Sequence, residues 1–296
     1  MDEYKRCNLC HHNCNINRYE EKGRCNASNS LKIARAALHY WEEPCISGEE
    51  GSGTIFFSNC NLKCIFCQNK EISTKGFGEE ITIERFSDIC IELQNKKANN
   101  INLVTPTHYV PSIIEGIKIA KEKGLKIPVV YNTSSYESID TIKKLKNTID
   151  VYLPDLKYKN DDLARKYSNV KDYFINATNN IEEMYKQVGD PIFKDGIMVK
   201  GIIVRVLLLP GHLDDAKEII KYLYDKYHNH IYISIMNQYT PIHKIKYDNL
   251  NRKVTDEEYD ELINYACDLG VEKAFIQEGE TQSESFIPCF NLEGVN

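Results

Sequence analysis

Three cysteines crowd into the stretch SNCNLKCIFCQN: Cys60, Cys64 and Cys67, spaced C-x3-C-x2-C. A loop this short brings three thiolates to one place. A [4Fe-4S] cluster has four irons, each normally held by a cysteine, so three protein ligands leave one iron open. An open iron can take a substrate or cosubstrate directly, much as a catalytic zinc keeps a free position. A closed structural zinc site wants four ligands, and no histidine or acidic side chain stands at tight spacing to complete one here. Three structural cysteines are the plainer alternative.

A second group precedes it. Cys7, Cys10, Cys14 and Cys25 follow C-x2-C-x3-C-x10-C. Four sulfur ligands make a closed tetrahedral set that suits zinc and iron–sulfur alike, and His11 or His12 could stand in for one thiol. The set reads first as a staple for the N-terminal segment, with electron relay as its other role. Eleven cysteines is a high count for 296 residues. Disulfide frameworks belong to small secreted domains, whereas this chain is long and opens with the charged, cysteine-rich MDEYKRCNLC, unlike a signal peptide. Tight grouping therefore points to metal and to a reducing cytoplasm. Cys45, Cys90 and Cys267 read as buried core thiols.

The elements that must position these groups come from periodicity. The chain is 42% hydrophobic with a net charge of -6, enough to bury a large core and poorly suited to nucleic acid or a membrane surface. No apolar run reaches the ~20 residues that span a bilayer. From about residue 53, strand patterns at 54–58, 101–105, 128–132, 150–155, 201–210, 231–236 and 274–278 alternate with helical patterns. Phe86, Ile89, Cys90 and Leu93 mark one helix face; Ile113, Ile114, Ile117 and Ala120 mark another, closing at Gly124. Further helices are expected near 138–146, across most of 161–189, at Ala216–Leu223, and after a capping box of Thr255 and Glu258. Strand–helix alternation implies parallel strands with right-handed crossovers. The expected fold is α/β, a partial (β/α)6-type TIM barrel over 53–296, preceded by a cysteine-rich cap over 1–52 in which Trp41-Glu42-Glu43 touches the barrel. A doubly wound open sheet is the alternative, although a cysteine loop replaces the glycine-rich turn such sheets carry after their first strand.

In a parallel barrel, chemistry sits at the C-terminal strand ends. Asp155 and Lys157 end one strand on a shared face. Arg205 lies amid Ile202, Ile203, Val204, Val206, Leu207 and Leu208, where a buried charge needs an anionic partner such as Asp155 or a ligand carboxylate. Tyr131 and Asn132, and Asn237 to Tyr239, end other strands. His108 reads as a satisfied polar residue.

The cysteine loop, with Phe66 as the aromatic before its last cysteine, resembles the radical S-adenosylmethionine (SAM) superfamily. VTPTHY, VYLPDLKY and VRVLLLPG extend the likeness to an uncharacterised branch near the pyruvate formate-lyase activating enzymes, over most of residues 7 to 290. The resemblance implies that the open iron chelates the amino and carboxylate groups of SAM. The reduced cluster then breaks the sulfonium bond, and a 5′-deoxyadenosyl radical abstracts hydrogen. It also implies SAM contacts from Phe66, from the Thr105 and Pro106 carbonyls (in place of the superfamily's usual Gly-Gly-Glu), and from Asp155, Lys157 and Arg205. Implied partners are a reducing donor such as flavodoxin or ferredoxin and a protein or peptide substrate, a glycyl-radical enzyme such as pyruvate formate-lyase among them. Two other readings compete: an electron-transfer or cluster-carrier protein with two metal sites, and a zinc-stabilised binding module.

Overall fold

The apolar runs and amphipathic helices assemble into one ten-stranded sheet. The computed structural model describes residues 3–277 and 288–296. Its strands are β1 (Leu31–His39), β2 (Ser52–Phe57), β3 (Glu79–Ile81), β4 (Ile101–Val104), β5 (Val129–Thr133), β6 (Val151–Pro154), β7 (Ile192–Lys194), β8 (Ile197–Leu207), β9 (Tyr232–Met236) and β10 (Ala274–Ile276). Their order is β10-β9-β8-β6-β5-β4-β2-β1-β3, with β7 paired to β8. From β2 to β10 every neighbouring pair on that path is parallel. The barrel is not closed: β3 and β10 are its free ends among the described residues. The last strand is shorter than the expected 274–278, whose Glu278 lies outside the described residues.

The crossovers are helical: α1 (Pro44–Ser47), α2 (Lys70–Ser73), α3 (Ile83–Asn95), α4 (Val110–Glu122), α5 (Ile139–Lys144), α6 (Asp161–Ser168), α7 (Tyr173–Val188), α8 (Leu213–Tyr227) and α9 (Asp256–Leu269). Each longer one turns an apolar stripe to the sheet's outer face, as α3 does with Phe86, Ile89, Cys90 and Leu93. Thr255 and Glu258 form the expected capping box of α9. Gly116 in α4 lets the ring of Phe86 lie against its backbone, where a Cβ would collide with it. Cys267 is a correction: α9 turns Tyr259, Leu262 and Ala266 inward, and one residue on, about 100° round the helix, leaves Cys267 exposed. Cys45 and Cys90 are buried as expected.

Ahead of residue 53 the chain does more than cap. β1 pairs antiparallel with β2 and extends the barrel sheet. The chain then dives under the barrel. α1 rests on β8, and Cys45 and Ile46 pack with Val130, Val151, Leu153 and Ile203. Side-chain amides hold this floor: Asn99 donates to the Ser47 carbonyl at 2.6 Å and Asn100 to that of Ile46 at 2.7 Å. No described helix is long and apolar enough to cross a membrane.

Candidate active site

The loop after β2 is fixed by its backbone. Asn59 and Lys63 take positive φ (74° and 61°), Asn59 N–H donates to the Ile72 carbonyl (2.8 Å), and Ile65 N–H to that of Tyr167 (2.8 Å). These bonds turn Cys60, Cys64 and Cys67 onto the wall of one cavity of about 720 Å³ at the C-terminal ends of the strands. Each sulfur has a hydrogen-bonding neighbour. The Leu62 N–H donates to Cys60 Sγ (3.4 Å), Ser168 Oγ lies 2.9 Å from Cys64 Sγ, and Ser73 Oγ lies 3.3 Å from Cys67 Sγ. Burial pushes the Cys60 thiol up to about 12. It raises Cys64 as well, against the charge of Lys157. A metal cation bound between them would offset that cost of burying thiolates.

Facing them is an ionic network built on strand ends. Arg205 on β8 donates from Nε to Asp155 Oδ1 (2.8 Å), from Nη2 to Asn132 Oδ1 (2.6 Å), and from Nη1 to Glu42 Oε2 (3.4 Å). Lys157 Nζ takes the other Asp155 oxygen at 2.7 Å. Burial works to raise Asp155, but Arg205 and Lys157 outweigh it and hold the carboxyl below its ordinary value. Burial pushes Glu42 up, with Asp155 adding to it and Arg205 opposing. Glu43 is likewise raised by burial, and its Oε2 has no hydrogen-bond partner among the described residues. The network thus combines two cations, Arg205 and Lys157, with one carboxyl that they hold down, Asp155, and two that burial raises, Glu42 and Glu43.

Most of the expected contacts meet on this cavity. Phe66 lines it, edge-on to Tyr239 (centroids 6.0 Å apart). Thr105 lines it with φ of +58°, an unusual conformation for a β-branched residue, fixed by its N–H donating to the Asn132 carbonyl (3.0 Å). Pro106 follows Thr105 in the chain, and its carbonyl accepts the Tyr109 N–H (2.9 Å) that closes a 3-10 turn. Asn132 and Tyr131 part ways by strand alternation. Asn132 joins Arg205, whereas Tyr131 is buried with its hydroxyl donating to Glu137 (3.1 Å). Gln238 and Tyr239 reach the cavity. His108 is buried, its Nε2 donating to the Ser58 carbonyl (2.8 Å). The expected barrel contact of Trp41-Glu42-Glu43 runs through Glu42, but sequence reasoning did not name its partner, Arg205. Trp41 beside it is 64% exposed, and no local pattern marks Glu42 as destined for Arg205, 163 residues away.

A partial parallel barrel with a three-thiol loop at its mouth and an ionic clamp opposite defines a class of cofactor-dependent α/β enzymes. The family model of the radical SAM superfamily matches residues 54–223, and the chain belongs to that superfamily. The uncharacterized protein MJ0674 of Methanocaldococcus jannaschii is 32% identical over 279 residues, 89% of this chain and 75% of that one. Streptococcus suis SuiB, solved with S-adenosylmethionine bound, shares the fold at a TM-score of 0.51 and 13% identity, over 75% of this chain and 49% of that chain. The FeFe-hydrogenase maturase HydG from Carboxydothermus hydrogenoformans does so at 0.52 and 14%, over 77% and 54%. The chain spans about half the length of those two solved proteins.

Membership implies a [4Fe-4S] cluster and SAM, and the residues fit both. Among the described residues no three His, Cys, Asp or Glu side chains converge tightly enough to grip a single ion. A four-iron cube is broader than an ion and needs its three thiolates spread around one space, as Cys60, Cys64 and Cys67 are on the cavity wall. The cavity has the volume of a small-molecule cofactor site.

Proposed function

We propose that this protein is a radical SAM enzyme in which Cys60, Cys64 and Cys67 hold three corners of a [4Fe-4S] cluster and the rest of the cavity holds SAM. Bound together, cluster and SAM supply a 5′-deoxyadenosyl radical that abstracts hydrogen from the substrate. The protein's own part is binding, orientation and exclusion of water. Lys157 and Arg205 offer cations to a carboxylate. Asp155 offers an anion to an amine or ribose hydroxyls, and the carbonyl of Thr105 offers an acceptor. Phe66 shields the cluster loop. A protein glycine, as in activation of a glycyl-radical enzyme such as pyruvate formate-lyase, is the substrate we favour, with flavodoxin or ferredoxin as reductant in a reducing cytoplasm. One observation carries the reading: three cysteines of one loop share a cavity with the Asp155–Arg205–Lys157 network. Anaerobic reconstitution followed by SAM and dithionite should yield 5′-deoxyadenosine. Fully iron-loaded protein that bound SAM without ever cleaving it would instead favour a cluster carrier.

A further inference from the structure

The four N-terminal cysteines play no part in that reading, yet the chain has built a particular place for them. The segment that carries them has no helix, and hydrogen bonds fold it on itself. Cys7 N–H donates to the Ile16 carbonyl (2.9 Å), Asn15 N–H to that of Cys7 (3.0 Å) and Asn13 N–H to that of Cys10 (2.9 Å). Asn13 and Asn15 take positive φ (47° and 56°) to make these turns. Cys14 Sγ accepts the Arg24 N–H at 3.5 Å, and a Cβ on Gly23 would sit 3.3 Å from that sulfur. All four thiols are free of disulfides.

A buried cation lies beside them. Arg18 is only 1% exposed and donates to the carbonyls of Ala27, Ser28 and His108, with the ring of Tyr4 4.8 Å away. Among the described residues no carboxylate pairs with it. Carbonyl dipoles satisfy its N–H groups but do not neutralise its charge, and an uncompensated buried ion costs several kcal/mol. A centre closed by four thiolates carries the missing negative charge. Zinc has no redox chemistry, so of the two centres that suit four thiolates only an iron–sulfur cluster could also carry an electron.

The same segment lies against the back of the catalytic loop. His12, two residues after Cys10, donates from Nε2 to the carbonyl of Asn61 at 2.7 Å, and Asn61 follows Cys60 in the chain. Tyr136 completes the joint. Its carbonyl accepts from His11 N–H (3.3 Å) and Asn61 Nδ2 (3.4 Å), and its ring packs against both histidines.

We propose that Cys7, Cys10, Cys14 and Cys25 hold a second [4Fe-4S] cluster that takes one electron from a low-potential protein donor and passes it across the His12–Asn61 contact to the cluster at the barrel mouth. The donor is oxidised by one electron, the N-terminal cluster is reduced and then reoxidised, and the barrel cluster is reduced. No bond forms or breaks and no proton moves. The destination of the electron rests on the proposed function; the existence of the second cluster does not.

The test uses the full chain, reconstituted anaerobically with iron and sulfide, as wild type, as Cys60→Ala/Cys64→Ala/Cys67→Ala and as Cys7→Ala/Cys14→Ala. The first variant should keep about 4 irons and a reduced-cluster electron paramagnetic resonance signal, against about 8 irons in wild type. Zinc or an empty site in that folded variant overturns the second cluster. Absence of iron from the Cys7/Cys14 variant would count instead against the barrel cluster. Transfer is read by stopped-flow reduction of the barrel cluster with a ferredoxin-class donor and, separately, with titanium(III) citrate. The ratio of the two rates should fall at least about tenfold in the Cys7/Cys14 variant. Should that variant not fold, His12→Phe, which keeps the ring and removes the hydrogen bond, should lower the same ratio while retaining both clusters. An unchanged ratio overturns the relay.

Discussion

Two arginines, Arg18 buried and Arg205 largely so, sit beside two sets of cysteines, and the chain treats them differently. Arg205, at the barrel mouth, meets Asp155 and Glu42 and shares Asp155 with Lys157. Arg18, at the N-terminal set, meets three carbonyls and the faces of Tyr4 and Tyr109, but no carboxylate among the described residues. The first site is balanced by its own side chains, and its thiols open on a cavity that a ligand can enter. The second leaves a positive charge for a metal centre to answer, and two of its cysteines, Cys7 and Cys25, are buried. On the relay proposed above, the difference separates a place where a reagent comes and goes from a place that keeps its cluster.

The largest expected effect lies at the open set. Cys64→Ala should abolish 5′-deoxyadenosine formation while leaving the iron held by the N-terminal segment; product formed at the wild-type rate would erase the distinction between the sets. Next is Arg205→Met. It leaves Asp155 and Glu42 as buried carboxylates without their main partner, a change that costs about 3–5 kcal/mol. Chemical denaturation of the iron-free chain should show that loss, and calorimetry should show weakened SAM binding.

His108 joins the two regions, its carbonyl on Arg18 and its ring on the Ser58 carbonyl just ahead of the catalytic loop. Burial, helped by the Arg18 charge, lowers its pKa from 6.5 to about 3. Below pH 6.5 the unfolded chain takes up a proton that the folded chain refuses, so stability is full above that pH and falls progressively toward pH 3. Thermal melts of wild type should slope downward between pH 6.5 and 4.5 more steeply than those of His108→Gln; parallel slopes would remove His108 as the joint. The smallest effect is a control remote from both sets. Gly116→Ala pushes a Cβ into Phe86 and should cost about 1–3 kcal/mol of overpacking, with iron content and SAM cleavage per folded molecule unchanged.

Much of the site was legible because its signals are local. Three close cysteines, a charge inside an apolar strand and an Asp-Leu-Lys strand end each mark themselves. What failed to show depends on distance or on one backbone bond. Glu42 acquires its role only when the chain threads beneath the barrel. Pro106 offers its carbonyl to the Tyr109 N–H, a single backbone bond that no local pattern announces. β1, LKIARAALH, is rich in alanine and lacks strict alternation; its buried positions, Leu31, Ile33, Ala34, Ala36 and Ala37, do not follow a period of two. The parallel strands, by contrast, announced themselves as near-continuous apolar runs.

The passage of Glu42 to Ser47 under the strands has a consequence for how this protein can be divided. A fragment begun at residue 53 would keep every cysteine of the catalytic loop, yet it would lack the strand that joins β3 to β2, the base of its cavity and a carboxylate facing Arg205. The front and back of this chain are therefore not interchangeable modules. Recombination that swapped the leader alone would also alter the charge and depth of the reaction chamber.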